Sequence, residues 1–456
     1  MSARRYVRQE TSKHLPWQIT MGLLLVSVLI SLVSITIYMG ANAIPLFQNY
    51  VSYIRTFALI CMASTFAIFT LMVVEIYRQE RTSMLVVDDM TSKAAKVAKR
   101  VKKLLSDKAV IDVLGFAKLT RYGYAMPTIR VYVADDLSAG YIAVENVSSF
   151  DVLDRQKMEQ NVSGLLSGKS QRYSIVSSNL TRDDSYMLFH FEDVNTSHRL
   201  TVDMNDVSQF VSNDVHQIKL MDNLTLNFGT DTHHCAIVAR TRSGKSVLAS
   251  YMATLMKAQG WRVEYHSAKY DTTVKKFGGQ SEPIKIVESA EKMVEEMNAR
   301  LRKINEADKE KYLEVSNMVD IGLFFDELGS LSAALDDDKK VKARWNKAIN
   351  RLTATGASAG IHVIAISQLA TLEGLGLPNL ARTNVGDSVI MLAEAANSPD
   401  ERRYMMSGFA DMPKRSYKVG QGLARFVGIG GMWSTPHLFE APLIIDKSKE
   451  LKKIPY

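Results

Sequence analysis

Cysteine is nearly absent from this chain of 456 residues. Cys61 and Cys235 are the only two, too few for a disulfide framework, which points the soluble part to a reducing compartment. No internal repeat is present, and the one low-complexity patch, Asp336-Asp337-Asp338-Lys339-Lys340, reads as a solvated loop. Net charge is missing from most of the length. Of the formal +8, residues 1–108 supply all, with 14 basic against 6 acidic side chains, so residues 109–456 net to zero. The basic pI of about 9.1 is therefore no sign of a basic surface spread over a soluble protein. What is present is a hydrophobic fraction of 46%. That supports two or three domains with real cores and excludes disordered or collagen-like chains.

Charge is also missing from two apolar runs, the 24 residues from Trp17 to Gly40 and the stretch from Thr56 to Val74. As helices both are long enough for a hydrocarbon core of about 30 Å, which takes roughly 20 residues. The first is too long for a signal-peptide core, lacks an A-x-A site and is followed at once by the second. Arg4, Arg5, Arg8 and Lys13 precede the pair, only Arg55 lies between, and Arg78, Arg81 and a lysine-rich stretch follow. The asymmetry predicts a multi-pass cell-membrane protein with both termini and the downstream domains in the cytoplasm. Residues 1–16 are then a cytoplasmic N-terminus and 17–76 two spans with a short external loop. Residues 77–108 form a basic membrane-proximal helix, whose Lys93–Lys108 stretch rests on anionic lipid or contacts DNA. Charge alone does not separate those two.

Residues 109–222 read as a small α+β adaptor domain. Ile129–Val133, Tyr141–Val144, Tyr173–Val176 and Tyr186–Phe189 have the alternation and β-branched content of strands, and Asp151–Leu166 reads as a helix. No cluster of metal ligands or nucleophiles occurs there.

From 223 to 445 the pattern is α/β, with 446–456 left as a C-terminal tail. Cys235–Ala239 is an apolar run suited to a central parallel strand, and Val247–Lys257 is a good helix. Between them Arg240-Thr241-Arg242-Ser243-Gly244-Lys245-Ser246 nearly matches the phosphate-loop pattern G-x-x-x-x-G-K-[ST], with Ala239 where the first glycine belongs. In such a loop backbone N–H groups and a helix N-terminus wrap phosphates, the lysine reaches β/γ oxygens and the hydroxyl holds Mg²⁺. ATP and Mg²⁺ are the implied cofactors. Ile321–Phe325 is a hydrophobic strand ending in Asp326-Glu327, which places carboxylates in the crevice where the phosphate loop opens. Asp326 then helps hold Mg²⁺ and Glu327 activates the attacking water. A third strand, Ile361–Ile366, ends in Ser367-Gln368, and Gln368 is placed to sense the γ-phosphate. His233-His234-Cys235 is no metal site, since adjacent strand residues point to opposite faces, and His362 reads as structural. Val287, Met293, Val294, Met297, Leu301 and Ile304 have the spacing of a helix face packed on the sheet.

These motifs, with Arg351-Leu352 and the ungapped run Ala359-Gly360-Ile361-His362-Val363-Ile364-Ala365-Ile366-Ser367-Gln368, resemble the FtsK/SpoIIIE family of DNA-pumping ATPases. Ser398-Pro399-Asp400-Glu401-Arg402 and Gly420-Gln421-Gly422 resemble later elements of that motor. Together with two spans and a small adaptor, the likeness is to the FtsK-type coupling proteins of Gram-positive conjugative elements. It implies a RecA-like phosphate-loop ATPase with a central parallel sheet, working as a homo-hexamer that moves DNA and meets relaxase and transfer-channel proteins. It also implies roles near the nucleotide for Lys269 and Asp271. The family's glycines are replaced at Ala239 and Arg242, and its usual finger arginine by Ala357. Arg351 is then the candidate finger toward a neighbour's γ-phosphate, with Arg382 farther on. Alternative readings are a catalytically degenerate membrane scaffold of a transfer apparatus and an FtsK-like ATPase that exports protein substrates.

Overall fold

The computed structural model describes residues 6–7, 16–81, 87, 89–116, 118–120, 123–146, 159–166, 173–181, 184–269 and 272–445. Helices α1 (Pro16–Ala43) and α2 (Val51–Arg81) are joined by a short 3-10 turn over Pro45–Tyr50. Both are long and apolar enough to cross a membrane. Core helices of a soluble protein would be mostly covered, whereas only 11% of each apolar window is buried, and Leu29 and Phe66 stand exposed. Where the two helices meet, side chains are small or hydroxylic, as close packing without a hydrophobic drive requires. Ala41 and Ala58 are buried, and the Ser31 and Thr65 hydroxyls lie 2.9 Å apart.

Next come α3 (Ser92–Leu105), α4 (Lys108–Leu114), strands β1 (Ile129–Val133) and β2 (Ala139–Glu145), helix α5 (159–166), and strands β3 (Tyr173–Leu180) and β4 (Tyr186–Asp193). The strands form an antiparallel sheet in the order β1-β2-β4-β3. Residues 151–158 of the expected helix lie outside the described residues. Strand periodicity divides the sheet's two faces. Met187, Phe189 and Phe191 of β4 pack in one core with Ala94, Ala98, Val101 and Leu105 of α3. The alternate residues His190 and Glu192 turn to the other face, where Glu192 accepts a hydrogen bond from His437. The apolar stripe of the basic helix is thus used on the adaptor sheet.

The larger unit holds β5 (Thr201–Asp203), β6 (Gln217–Met221), β7 (Leu224–Asn227), β8 (Cys235–Ala239), α6 (Lys245–Ala258), β9 (Arg262–Ser267), α7 (Pro283–Glu306), β10 (Ile321–Asp326), α8 (Leu328–Leu335), α9 (Lys339–Thr355), β11 (Ile361–Ser367), β12 (Ser388–Leu392), α10 (Pro399–Met405), β13 (Gln421–Phe426), β14 (His437–Glu440) and β15 (Leu443–Ile445). Seven of the strands make one sheet in the order β9-β10-β11-β8-β12-β13-β14. The first five run parallel and the last two antiparallel. This is the expected α/β class with a central parallel sheet. Every residue of β8, β10, β11 and β12 is buried, as strands covered on both faces must be. Ala236 and Val238 join one core with Val287, Met293 and Met297 of α7. Cys235, Ile237 and Ala239 join the other, with Leu248, Tyr251 and Met252 of α6. On the adaptor side of position 222, β5 pairs with β15, and the Lys219 backbone carbonyl of β6 accepts the Tyr251 hydroxyl at 2.7 Å. Both elements therefore pack with the larger unit.

The two units are tied at several points. Arg415 donates to Ser174 Oγ at 3.0 Å and to the Ile175 carbonyl. Ser197 donates to Glu440 at 2.6 Å, and Arg199 Nε to the Ala441 carbonyl at 2.6 Å. Burial, and then its neighbour His437, push His190 down to about 3, so it stays neutral in this contact.

Candidate nucleotide site

The chain order dictates where a site can form. From β8 the chain goes out to the edge strand β9, returns through β10 and β11, and then crosses to β12. That reversal opens a crevice at the carboxyl ends of β8, β10 and β11, and three sequence motifs end there.

Strand β8 runs through Ala239, whose methyl is fully buried in the core facing α6. The resemblance expects glycine at this position. Here the residue is still strand, paired with Leu392, and alanine fits. Arg240–Gly244 forms the loop, and α6 begins at Lys245. Arg242 has φ +65°, the conformation for which the family's glycine is suited. An L side chain there costs about 1–2 kcal/mol. Gly244 has φ +96°, and a Cβ on it would lie 3.2 Å from Gly420 Cα. The Gly420 N–H in turn donates to the Ser243 carbonyl at 3.0 Å, so the loop is braced by the segment that precedes β13. Gly244→Ala should lower the stability of the larger unit by about 1–2 kcal/mol, read as a shift in its denaturation midpoint, and weaken nucleotide binding.

The buried Lys245 ammonium stands between two carboxylates, 3.1 Å from Asp326 Oδ1 and 2.9 Å from Glu327 Oε1. Asp326 is buried at the end of β10, and its Oδ2 accepts the Tyr265 hydroxyl at 2.7 Å. Glu327 is half-buried at the N-terminus of α8 with φ +54°. Its Oε2 accepts Gln368 Nε2 at 3.0 Å, and Gln368 Oε1 accepts the Thr241 hydroxyl of the phosphate loop at 3.2 Å. Burial alone would raise the Glu327 carboxyl. Lys245, the Gln368 amide and Lys269 outweigh it and hold the group below the usual glutamate range. Glu327 is thus a carboxylate at neutral pH. Ser246 lies exposed in the first turn of α6. Its hydroxyl and the Asp326 carboxylate are hard oxygen donors of the kind Mg²⁺ takes alongside phosphate oxygens and water, so the residues present suit that ion.

Lys245, Asp326, Glu327, Gln368 and Thr241 therefore converge, and Lys269 contributes charge from an exposed position. Asp271 lies outside the described residues. Arg351 does not join its own chain's site. It is exposed on α9 and donates to Asn298 at 2.8 Å. Arg382 donates to Asn379 at 2.9 Å and stacks over the Tyr404 ring. His234 accepts the Val363 N–H at 3.0 Å, and His362 contacts the His233 carbonyl at 2.8 Å and Asp320 at 3.1 Å. Both histidines thus stitch the opposite end of the sheet.

Three contacts escaped sequence reasoning: those of Tyr265 and Gly420, and the ion pair between Arg240 and the buried Glu401, although Gly420 and Glu401 lie in stretches that resemble later elements of the motor. Tyr265 is legible only once β9 is known to pair with β10. Burial pushes Glu401 above the usual glutamate range, and Arg240 with the Ala370 N–H offsets this only in part. The same carboxylate thereby ties the phosphate loop to the chain just beyond Gln368.

No family model matches the chain, and no curated protein matches it. Among solved structures, the chain is similar to one described as "Structure of pCW3 conjugation coupling protein TcpA monomer form with ATPgS", with 16% sequence identity, a TM-score of 0.48, and 78% of this chain and 100% of that chain covered.

Proposed function

We propose that this chain is a membrane-anchored, ring-forming ATPase that couples ATP hydrolysis to DNA translocation during conjugative transfer. The observation that carries the ATPase part is the meeting of Lys245, Asp326, Glu327 and Gln368 at the carboxyl ends of three adjacent strands. The DNA part is supported by the FtsK-like run from Arg351 to Gln368.

Loop N–H groups and the start of α6 receive the triphosphate. The Lys245 ammonium then exchanges its two carboxylates for β/γ oxygens. That exchange frees Glu327 Oε1, while Gln368 keeps hold of Oε2, and the carboxylate orients and deprotonates the attacking water. Ser246 and Asp326 would hold Mg²⁺, which would supply charge neutralisation at the phosphates. Gln368, bonded to both Thr241 and Glu327, reports phosphate loss to the chain beyond it. Arg351 acts across the interface of a hexamer. The ATPase domain faces the cytoplasm, where relaxase and channel proteins are its partners. A nearly neutral motor suffices, because translocating loops need few phosphate contacts per subunit.

The test is ATP turnover by the full-length protein with and without single- or double-stranded DNA at low salt. DNA should stimulate turnover, and Lys245→Ala should abolish it. Turnover indifferent to either DNA would sink the translocase reading, and full turnover by the variant would sink the ATPase reading.

A further inference from the structure

The basic helix α3 carries an inference independent of what the nucleotide site does. Its sequence, SKAAKVAKRVKKLL, contains no acidic residue. Ala94, Ala98, Val101 and Leu105 lie along one side and are buried against the adaptor sheet. At 100° per residue, Lys96 and Lys103 point directly away from that side, flanked by Lys93, Lys99 and Arg100. All five are exposed, and among the described residues none of them is in an ion pair. Asp89, exposed just before the helix, forms no ion pair with it among the described residues, and two other carboxylates at its ends are engaged by backbone N–H groups. Asp135 accepts the Thr91 N–H and Asp107 caps α4.

We infer that this outward face of α3 is a docking surface for anionic phospholipid headgroups at the cytoplasmic leaflet. Two observations select lipid over the DNA that charge alone did not exclude. The adaptor sheet separates α3 from the larger unit. Phe189 and Phe191 face the helix, while Glu192 faces β14, so the cations point away from the phosphate-loop unit. Only ten residues separate the end of α2 at Arg81 from Ser92, and a chain that short reaches roughly 35 Å at most. The helix is tethered close to the membrane end. Because the apolar stripe is already covered, the contact is electrostatic and does not insert. Each basic side chain near an anionic surface is worth about fivefold in occupancy, and salt screens the effect.

The test is amine footprinting of the full-length protein in nanodiscs of phosphatidylcholine alone and of phosphatidylcholine with phosphatidylglycerol. Acylation of Lys96, Lys99 and Lys103 should fall at least about threefold in the anionic discs and recover in high salt. Exposed Lys347 of α9 should not change. A triple Lys→Glu variant at 96, 99 and 103 should lose the effect at the remaining Lys93 while keeping its ATP turnover in detergent. Equal labelling in both discs would overturn the proposal. So would protection produced by duplex DNA in neutral discs but not by anionic lipid, which would make the face a nucleic-acid site.

Discussion

Glu327→Gln should leave ATP binding intact and cut turnover by about 10²–10⁴-fold, the range a positioned general base supplies. The substitution keeps the shape of the side chain, and an amide oxygen can still accept from Gln368 Nε2, now 3.0 Å from Oε2. It removes the group able to take a proton from water. It also removes one of the two negative charges that hold Lys245, so the ammonium leaves for phosphate oxygens more readily and nucleotide affinity should be equal or tighter. Single-turnover hydrolysis and direct nucleotide binding separate the two effects. The charge state adds a second reading. In the free protein the carboxyl lies below the usual glutamate range despite its burial. The carboxylate is therefore present above that depressed value and is lost only as pH falls through it. The acid limb of kcat/KM should accordingly not begin on the neutral side of an ordinary glutamate. A variant that turns over within tenfold of the parent would remove Glu327 from the chemistry.

Arg402→Ala should destabilise the larger unit by about 3–5 kcal/mol, the cost of breaking a buried, fully bonded charge. Arg402 is completely buried and has no carboxylate partner within salt-bridge distance among the described residues. Its guanidinium instead gathers backbone carbonyls. Nε donates to Phe409 at 3.0 Å, Nη1 to Ala396 at 2.5 Å, and Nη2 to Ala410 and Met412 at 2.7 Å each. Burial pushes the group below its usual range, but arginine's intrinsic pKa is so high that it remains a cation. Alanine would strand those carbonyls and open a void. Lysine would not rescue it, since a point ammonium cannot match a fork spread over four carbonyls. The neighbouring Glu401, which holds Arg240 of the phosphate loop, rides on the same helix α10. Loss of order should therefore spread to nucleotide binding. For a unit of this size the thermal transition should drop by about 10 °C. A drop under about 2 °C would show that water replaces the guanidinium.

The phosphate loop was legible because its chemistry is local. A short apolar strand, a flexible turn and a helix start are contiguous, and Lys245 must lie where α6 begins. The Asp326-Glu327 pair was legible for a similar reason, as carboxylates at the end of a wholly apolar run. Gln368 required one assumption, that its strand is parallel and adjacent, and the inserted position of β11 supplies it. The contacts of Tyr265, Gly420 and Glu401 with the site were not legible, although two of the three residues lie in stretches that resemble the motor. Each reaches the site across strand register or a long loop, and nothing near them in sequence marks the contact. The substitution at Ala239 looked like a defect and is a strand residue with room for its methyl.

The sequence by itself determined the two membrane-length helices, the periodicity of α7 against the sheet, the location of the net charge and the placement of Lys245 at the start of α6. These follow from the order of residues along the chain, and hydropathy or spacing is enough to read them. Only the tertiary structure decided how Lys245 is shared between two acids and which residues brace the loop. It also decided what the basic helix does with its apolar side. Charge read along the chain led to the expectation that α3 lies near a membrane but could not say which of its faces was free. The alternation of side chains on β4 answered that, by turning one face of the adaptor sheet to α3 and the other to the larger unit.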